Sequence, residues 1–170
     1  MRRAEGVRGG LIEARYGAAM DRALTLAAGA GRAGEVPVGA VVLGPDGGVL
    51  AEAANARQSA CDPTAHAEIL ALRAAGAALG DSHLEGCTLV VTLEPCTMCA
   101  GAILLARLER VVLGAWEPRT GAAGSVRDVL RDPRTNHQVE VVAGLRARQS
   151  TALLQDFFTA RRLDTPAPTE

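Results

Sequence analysis

The chain has 170 residues, of which 48% are apolar and 22% charged, and a formal net charge of −1. That length and apolar fraction suit one compact domain and exclude a disordered or fibrous chain, and no run of 18 apolar residues exists to span a membrane. The near-neutral charge gives no overall sign of a nucleic-acid binder, and with Tyr16, Trp116, Phe157 and Phe158 as its four aromatics the core must be built from Ala, Val and Leu.

Residues 1–10 are charged and Gly-rich and read as disordered. Residues 12–30 read as a helix whose pattern includes Glu13 and Asp21, which argues against a signal peptide. The expected compartment is therefore the cytoplasm, where thiols stay reduced. Gly29, Gly31 and Gly34 spell G-x-G-x-x-G, but behind a helix and ahead of a strand, the reverse of the dinucleotide-binding order; they read instead as a helix end with left-handed glycines. Residues 36–44 and 49–56 form a hairpin around the turn signal at 45–48. Residues 64–79 have helical periodicity, with Gly80 after the end. A buried strand is expected at 87–93. The helix at 95–107 is apolar almost all round and is buried or at an interface. A strand at 110–115, a short helix at 125–131, a strand at 139–144, an amphipathic helix at 146–162 and a frayed tail at 163–170 complete the chain. Strands alternating with helices indicate an α/β layered domain over 11–162, with five strands and about five helices.

Two segments carry chemistry: Asp62-Pro63-Thr64-Ala65-His66-Ala67-Glu68 and Glu94-Pro95-Cys96-Thr97-Met98-Cys99. In each a proline sits beside a helix start, where a missing N–H costs nothing, so His66 and Cys96 are expected in first turns. Cys96 and Cys99, three apart, project from one helix face. Helix N-termini favour thiolates, and two thiolates with one imidazole suit Zn²⁺. Three ligands rather than four point to a catalytic ion with one corner left for water. Glu68, two residues from His66, stays off the metal yet within reach of that water, where a carboxylate can pass a proton. Other readings stay open: a redox C-x-x-C pair, or a four-ligand structural site closed by Cys61 or by Cys87, which begins a strand and is expected to pack there.

The H-x-E…P-C-x-x-C pattern is that of the zinc-dependent deaminases. Together with EVPVGAVV (35–42), TAHAEI (64–69), VTLEPCTMCAGA (91–102), TGAAGS (120–125) and the late DFF…RR (156–162), it resembles the bacterial tRNA-specific adenosine deaminases of the cytidine/deoxycytidylate deaminase superfamily. The resemblance implies a three-layer αβα fold with a five-stranded mixed sheet, usually a homodimer. It implies one Zn²⁺ per subunit held by His66, Cys96 and Cys99, with Glu68 as the proton shuttle and Asn55 hydrogen-bonded to the purine. The implied reaction is hydrolysis of wobble adenosine to inosine in a tRNA anticodon stem-loop. A loop base is already unpaired, so flipping it into a pocket costs little. Phe158, Arg161 and Arg162 match positions of the last helix that contact the anticodon loop. Glu117 stands, with one extra methylene, where the family usually has Asp near the substrate backbone, and Trp116 beside it reads equally as a stacking surface or a loop anchor.

Charge distribution agrees with an RNA partner, for residues 119–162 hold eight arginines against four acids. Phe157 is expected to pack inward and Phe158 to face RNA. Two other functions compete. A deaminase of a free nucleobase or nucleoside, such as guanine or cytosine, would not need the basic C-terminal third. A binding module with structural zinc would need four protein ligands.

Overall fold

Five consecutive buried residues, Gly39–Leu43, form strand β1. A turn in which Gly48 N–H donates to Asp46 Oδ1 (2.9 Å) returns the chain into β2, Val49–Ala54. β3 is Thr88–Leu93, β4 Arg110–Ala115 and β5 Glu140–Ala143. This computed structural model describes residues 2–163, with side chains from Gly9 onward. The strands lie in the order β2-β1-β3-β4-β5. β1 runs antiparallel to β2 and β3, while β3–β4 and β4–β5 are parallel. The sheet is therefore mixed, and β2, β3 and β4 all end on the same edge.

Side chains of successive strand residues point to opposite faces, and the core divides accordingly. Val42, Leu89, Val91, Val111 and Leu113 pack on one face with residues of α2, Ala67–Leu79, and α3, Thr97–Leu105. Val41, Leu43, Val90 and Val112 pack on the other with Tyr16, Ala19, Met20 and Ala23 of α1, Arg2–Arg32. A Cβ at Gly39 would overlap the Ala23 carbonyl, so glycine there lets α1 lie directly on β1. α4, Ala147–Leu163, covers β4 beside α1. The result is the expected three-layer αβα domain.

Four local expectations need correction. α1 starts at Arg2, so the segment 1–10, read as disordered, is helical from its second residue. Its glycines lower propensity, but extending an existing helix needs no new nucleus. Residues 125–131 form turns rather than a fifth helix, with an isolated bridge between Ala123 and Asp128. Their N–H groups go elsewhere: Ser125 N–H to the Glu94 carboxylate, Arg127 N–H to Gly121 and Val129 N–H to Ala122. Of the three glycines near the α1 terminus only Gly34 is left-handed (φ 85°); Gly29 and Gly31 remain helical. The tail expected at 163–170 begins with Leu163 as the last residue of α4, and 164–170 lie outside the described residues.

Candidate active site

The shared edge of β2, β3 and β4 gathers the chemistry, as carboxyl ends of strands commonly do in open α/β sheets. Asn55 follows β2, Glu94 and Cys96 follow β3, and Glu117 follows β4. His66 and Cys96 are the N-caps of α2 and α3, in extended backbone conformation, rather than residues of the first turns. Pro63 and Pro95 precede those caps and so do not occupy the first helical positions. The cap carbonyls still start each helix: His66 O accepts from Leu70 N–H and Cys96 O from Ala100 N–H. Ahead of His66, Asp62 Oδ1 accepts from both the N–H and the hydroxyl of Thr64 at 2.7 Å, fixing the loop.

Three ligand atoms converge. His66 Nδ1 lies 3.7 Å from Cys96 Sγ and 3.5 Å from Cys99 Sγ, and the sulfurs are 3.7 Å apart. At zinc bond lengths of about 2.3 Å to sulfur and about 2.0–2.1 Å to nitrogen, tetrahedral edges come to about 3.8 Å and about 3.5 Å. The donor set and its spacing thus fit a zinc ion. Among the described residues the cluster consists of these three. Cys61 is exposed, with its thiol 3.6 Å from the Gln58 carbonyl, and Cys87 is fully buried in the core, so neither closes a fourth corner.

The three ligand groups perturb one another's proton affinity. The hydrogen bond with Cys99 pushes the Cys96 thiol down to about 3, helped by the His66 ring. The same bond, then burial and the nearby Glu68, pushes Cys99 well above the thiol range. His66 is raised chiefly by its bond with Cys96. Burial raises Glu68, which is 4% exposed, despite the opposing charge of His66. Glu68 is thus a buried carboxyl beside the imidazole and sulfurs of the ligand cluster.

His66, Glu68 and Cys96 line a cavity of about 170 Å³ together with Asn55, Val36, Val38, Leu93 and Glu117. The structure therefore brings His66, Cys96, Glu68, Asn55 and Glu117 to the lining of one cavity, while Cys99 of the same ligand cluster is fully buried. Glu117 accepts from the N–H of Arg119 (2.8 Å), so its carboxylate also ties its own loop. Trp116 is exposed, with its ring against Gly124. Phe158, Arg161 and Arg162 sit on the outer end of α4, outside the cavity lining. Phe158 is exposed, while Phe157 is half-buried and meets Phe158 edge-on at 5.3 Å. Arg161 donates to the Gly34 carbonyl (2.7 Å) and lies over the Phe157 ring, and Arg162 donates to Thr159 Oγ1 (3.3 Å).

Two buried carboxylates escaped the sequence reading. Glu94 is 2% exposed and accepts from the N–H groups of Glu117 (2.8 Å), Ala123 (2.9 Å) and Ser125 (3.0 Å). It pins the 117–125 loop against the metal-ligand turn, and a Cβ at Gly121 would overlap it. Glu35, 3% exposed, accepts from Gln58, Ser59 and Asn55. The available signal was an isolated acid in an apolar or Pro-containing run, in EVPVG and LEPC.

Residues 14–115 match the family described as the cytidine and deoxycytidylate deaminase zinc-binding region. The chain belongs to that family. Its curated relatives are of two kinds. It is 45% identical to the tRNA-specific adenosine deaminase of Bacillus subtilis, over 84% of this chain and 88% of that protein. It is 51% identical to the tRNA(Ile)-lysidine synthase of Deinococcus deserti over 87% of this chain, which spans only 28% of that longer protein. A solved structure from a study of A-to-I editing by tRNA:A34 deaminases superposes with a TM-score of 0.77 at 44% identity, covering 79% of this chain and 97% of that one. The deaminase fold thus supplies the mixed five-stranded sheet and the helix caps on which the ligand cluster stands.

Proposed function

We propose that this deaminase converts adenosine to inosine at the wobble position of a tRNA anticodon stem-loop, as a single catalytic domain over 11–162. The observation that carries the chemistry is the three-ligand cluster with buried Glu68 in the wall of the same small cavity as Asn55. The RNA substrate is supported by the B. subtilis relative and the structural neighbour, and by the arginines beside exposed Phe158.

His66, Cys96 and Cys99 would hold one zinc ion per chain. Bound there, zinc supplies Lewis-acid activation, lowering the pKa of a coordinated water toward about 7. Glu68 would take a proton from the attacking water and give it to the purine ring nitrogen next to C6, and would then carry the proton of the hydroxyl added at C6 to the departing amine. Water and adenosine leave as inosine and ammonia. Asn55, with an amide that both donates and accepts, orients the base. Val36, Val38 and Leu93 give the base an apolar wall and exclude bulk water. Phe158 offers a stacking face to a loop base, Arg161 and Arg162 favour phosphate, and Glu117 sits at the rim near the substrate backbone.

The protein would act as a homodimer. A groove of about 960 Å³ between α2 and α3, lined by Ile69, Leu72, Met98 and Leu105, offers an apolar face for a second copy. Leu105 is 80% exposed in the single chain. No helix among the described residues is long and apolar enough to cross a membrane, and the proposed compartment is the cytoplasm, where tRNA is found.

The test is incubation with a synthetic stem-loop bearing a wobble adenosine, scored for inosine, with free adenosine, guanine and cytosine alongside. Inosine in the stem-loop and inert free compounds are expected. Turnover of a free base with no inosine in RNA would replace this reading with that of a small-molecule deaminase.

A further inference from the structure

Glu35 makes no contact with the ligand cluster, yet it is more fully engaged than any group that does. Its Oε1 accepts from Gln58 N–H (2.9 Å), Ser59 N–H (2.8 Å) and the Ser59 hydroxyl (3.1 Å), and its Oε2 accepts from Asn55 Nδ2 (3.3 Å). Burial alone would raise this carboxyl, but the Ser59 and Gln58 N–H groups outweigh it and hold the pKa below the ordinary value. It is therefore an ionised acceptor at neutral pH.

An ionised carboxylate has no proton to give. It can face the nitrogen of the Asn55 amide and never the oxygen. The Asn55 backbone is held independently, its N–H donating to Val38 O (2.9 Å). With the backbone anchored and one Nδ2 hydrogen committed, the amide presents its oxygen and its second N–H in one fixed sense. Gly34, left-handed at φ 85°, turns the chain from α1 so that Glu35 reaches inward. Arg161 of α4 clamps that turn by donating to the Gly34 carbonyl (2.7 Å).

We propose that Glu35 is a positioning residue: through its bond to Asn55 Nδ2 it sets the donor–acceptor sense in which the base pocket meets the purine. The proposal deepens the deaminase reading and rests on it. It makes a distinctive prediction for Glu35→Gln. The two main-chain donors of Gln58 and Ser59 take the new amide oxygen, which leaves the new amide nitrogen facing Asn55. Asn55 must then flip its oxygen toward residue 35, presenting an inverted pattern to the base.

A double-mutant cycle on the zinc-loaded enzyme tests this, with the wobble-adenosine stem-loop as substrate. Glu35→Gln is expected to lower kcat/KM about tenfold, the scale of one lost hydrogen bond, with zinc content unchanged. In an Asn55→Ala background the same substitution is expected to change kcat/KM by less than about twofold. An undiminished loss in that background would mean that Glu35 acts through the 57–59 loop alone, and the proposal would fail. The side-chain amide resonances of Asn55 give a readout independent of turnover. In the wild type one Nδ2 proton should be shifted by its carboxylate partner, and Glu35→Gln should abolish that shift. A shift that persists overturns the proposal, whereas a wild type that forms no inosine but shows the shift overturns only the RNA deaminase reading. Should Glu35→Gln not fold, Glu35→Asp, which retains the charge but withdraws it by one methylene, replaces it in the double-mutant cycle, where its loss of kcat/KM must likewise vanish in the Asn55→Ala background for the proposal to stand.

Discussion

The two ends of the proposed RNA path are built on different principles. At the strand edge, Glu35, Asn55, Glu68 and Glu94 are all at least nine-tenths buried. Glu35 and Glu94 have backbone N–H partners, and Asn55 is paired with Glu35. At the far end of α4, Phe158, Arg161 and Arg162 are exposed. A buried polar group holds a single arrangement because every alternative leaves a partner unsatisfied. An exposed arginine contributes less, and salt screens what it contributes. On the proposed reading, geometry would act at the base and diffuse attraction at the phosphates, and substitutions at the two ends should differ in kind as well as size.

The largest effect is expected at Glu68. Glu68→Ala should keep zinc and fold but lose turnover by about 10²–10⁴-fold, the range for a positioned proton-transfer group. Metal analysis with single-turnover assays checks this, and deamination at the wild-type rate would remove Glu68 from proton transfer. Next comes Glu94. Glu94→Ala strands three N–H groups of the 117–125 loop, at a cost of roughly 3–5 kcal/mol if water reaches only some of them. Thermal unfolding should fall by about 10 °C, and an unchanged midpoint would show that the loop does not depend on this carboxylate. The smallest effect belongs to α4. Arg162→Ala should weaken stem-loop binding modestly and reduce the slope of log affinity against log salt by about 0.7, one phosphate contact on single-stranded RNA. Arg161→Ala should instead disturb the Gly34 turn as well, so its loss should persist at high salt. Identical salt dependence in the two variants would erase the distinction between them.

What could be read from the sequence was what depends on near neighbours in the chain. Cys96 and Cys99 share a helix end, His66 and Glu68 share another, and short apolar runs between turn and helix signals mark the strands. The unread parts depend on distant partners. Residues 125–131 have helix-compatible composition, but the Ser125 N–H is captured by Glu94, about thirty positions earlier, and the N–H groups of Arg127 and Val129 turn back to Gly121 and Ala122. The Glu35–Asn55 pair spans twenty positions and carries no periodic signal. A proline beside each helix start points to His66 and Cys96 in first turns; their extended backbone makes them caps instead. Arg161, assigned to phosphate by resemblance, also serves the protein's own Gly34 turn.

The central claim is a zinc ion held by one imidazole and two thiolates with a fourth position open to solvent beside Glu68. X-ray absorption at the zinc edge of active protein addresses it directly. The account predicts one zinc per chain, with two sulfur neighbours and two nitrogen or oxygen neighbours, and Cys61→Ser and Cys87→Ala variants with the same spectrum. A third sulfur in the shell that disappears in either variant, or full activity in protein stripped of metal, would contradict it.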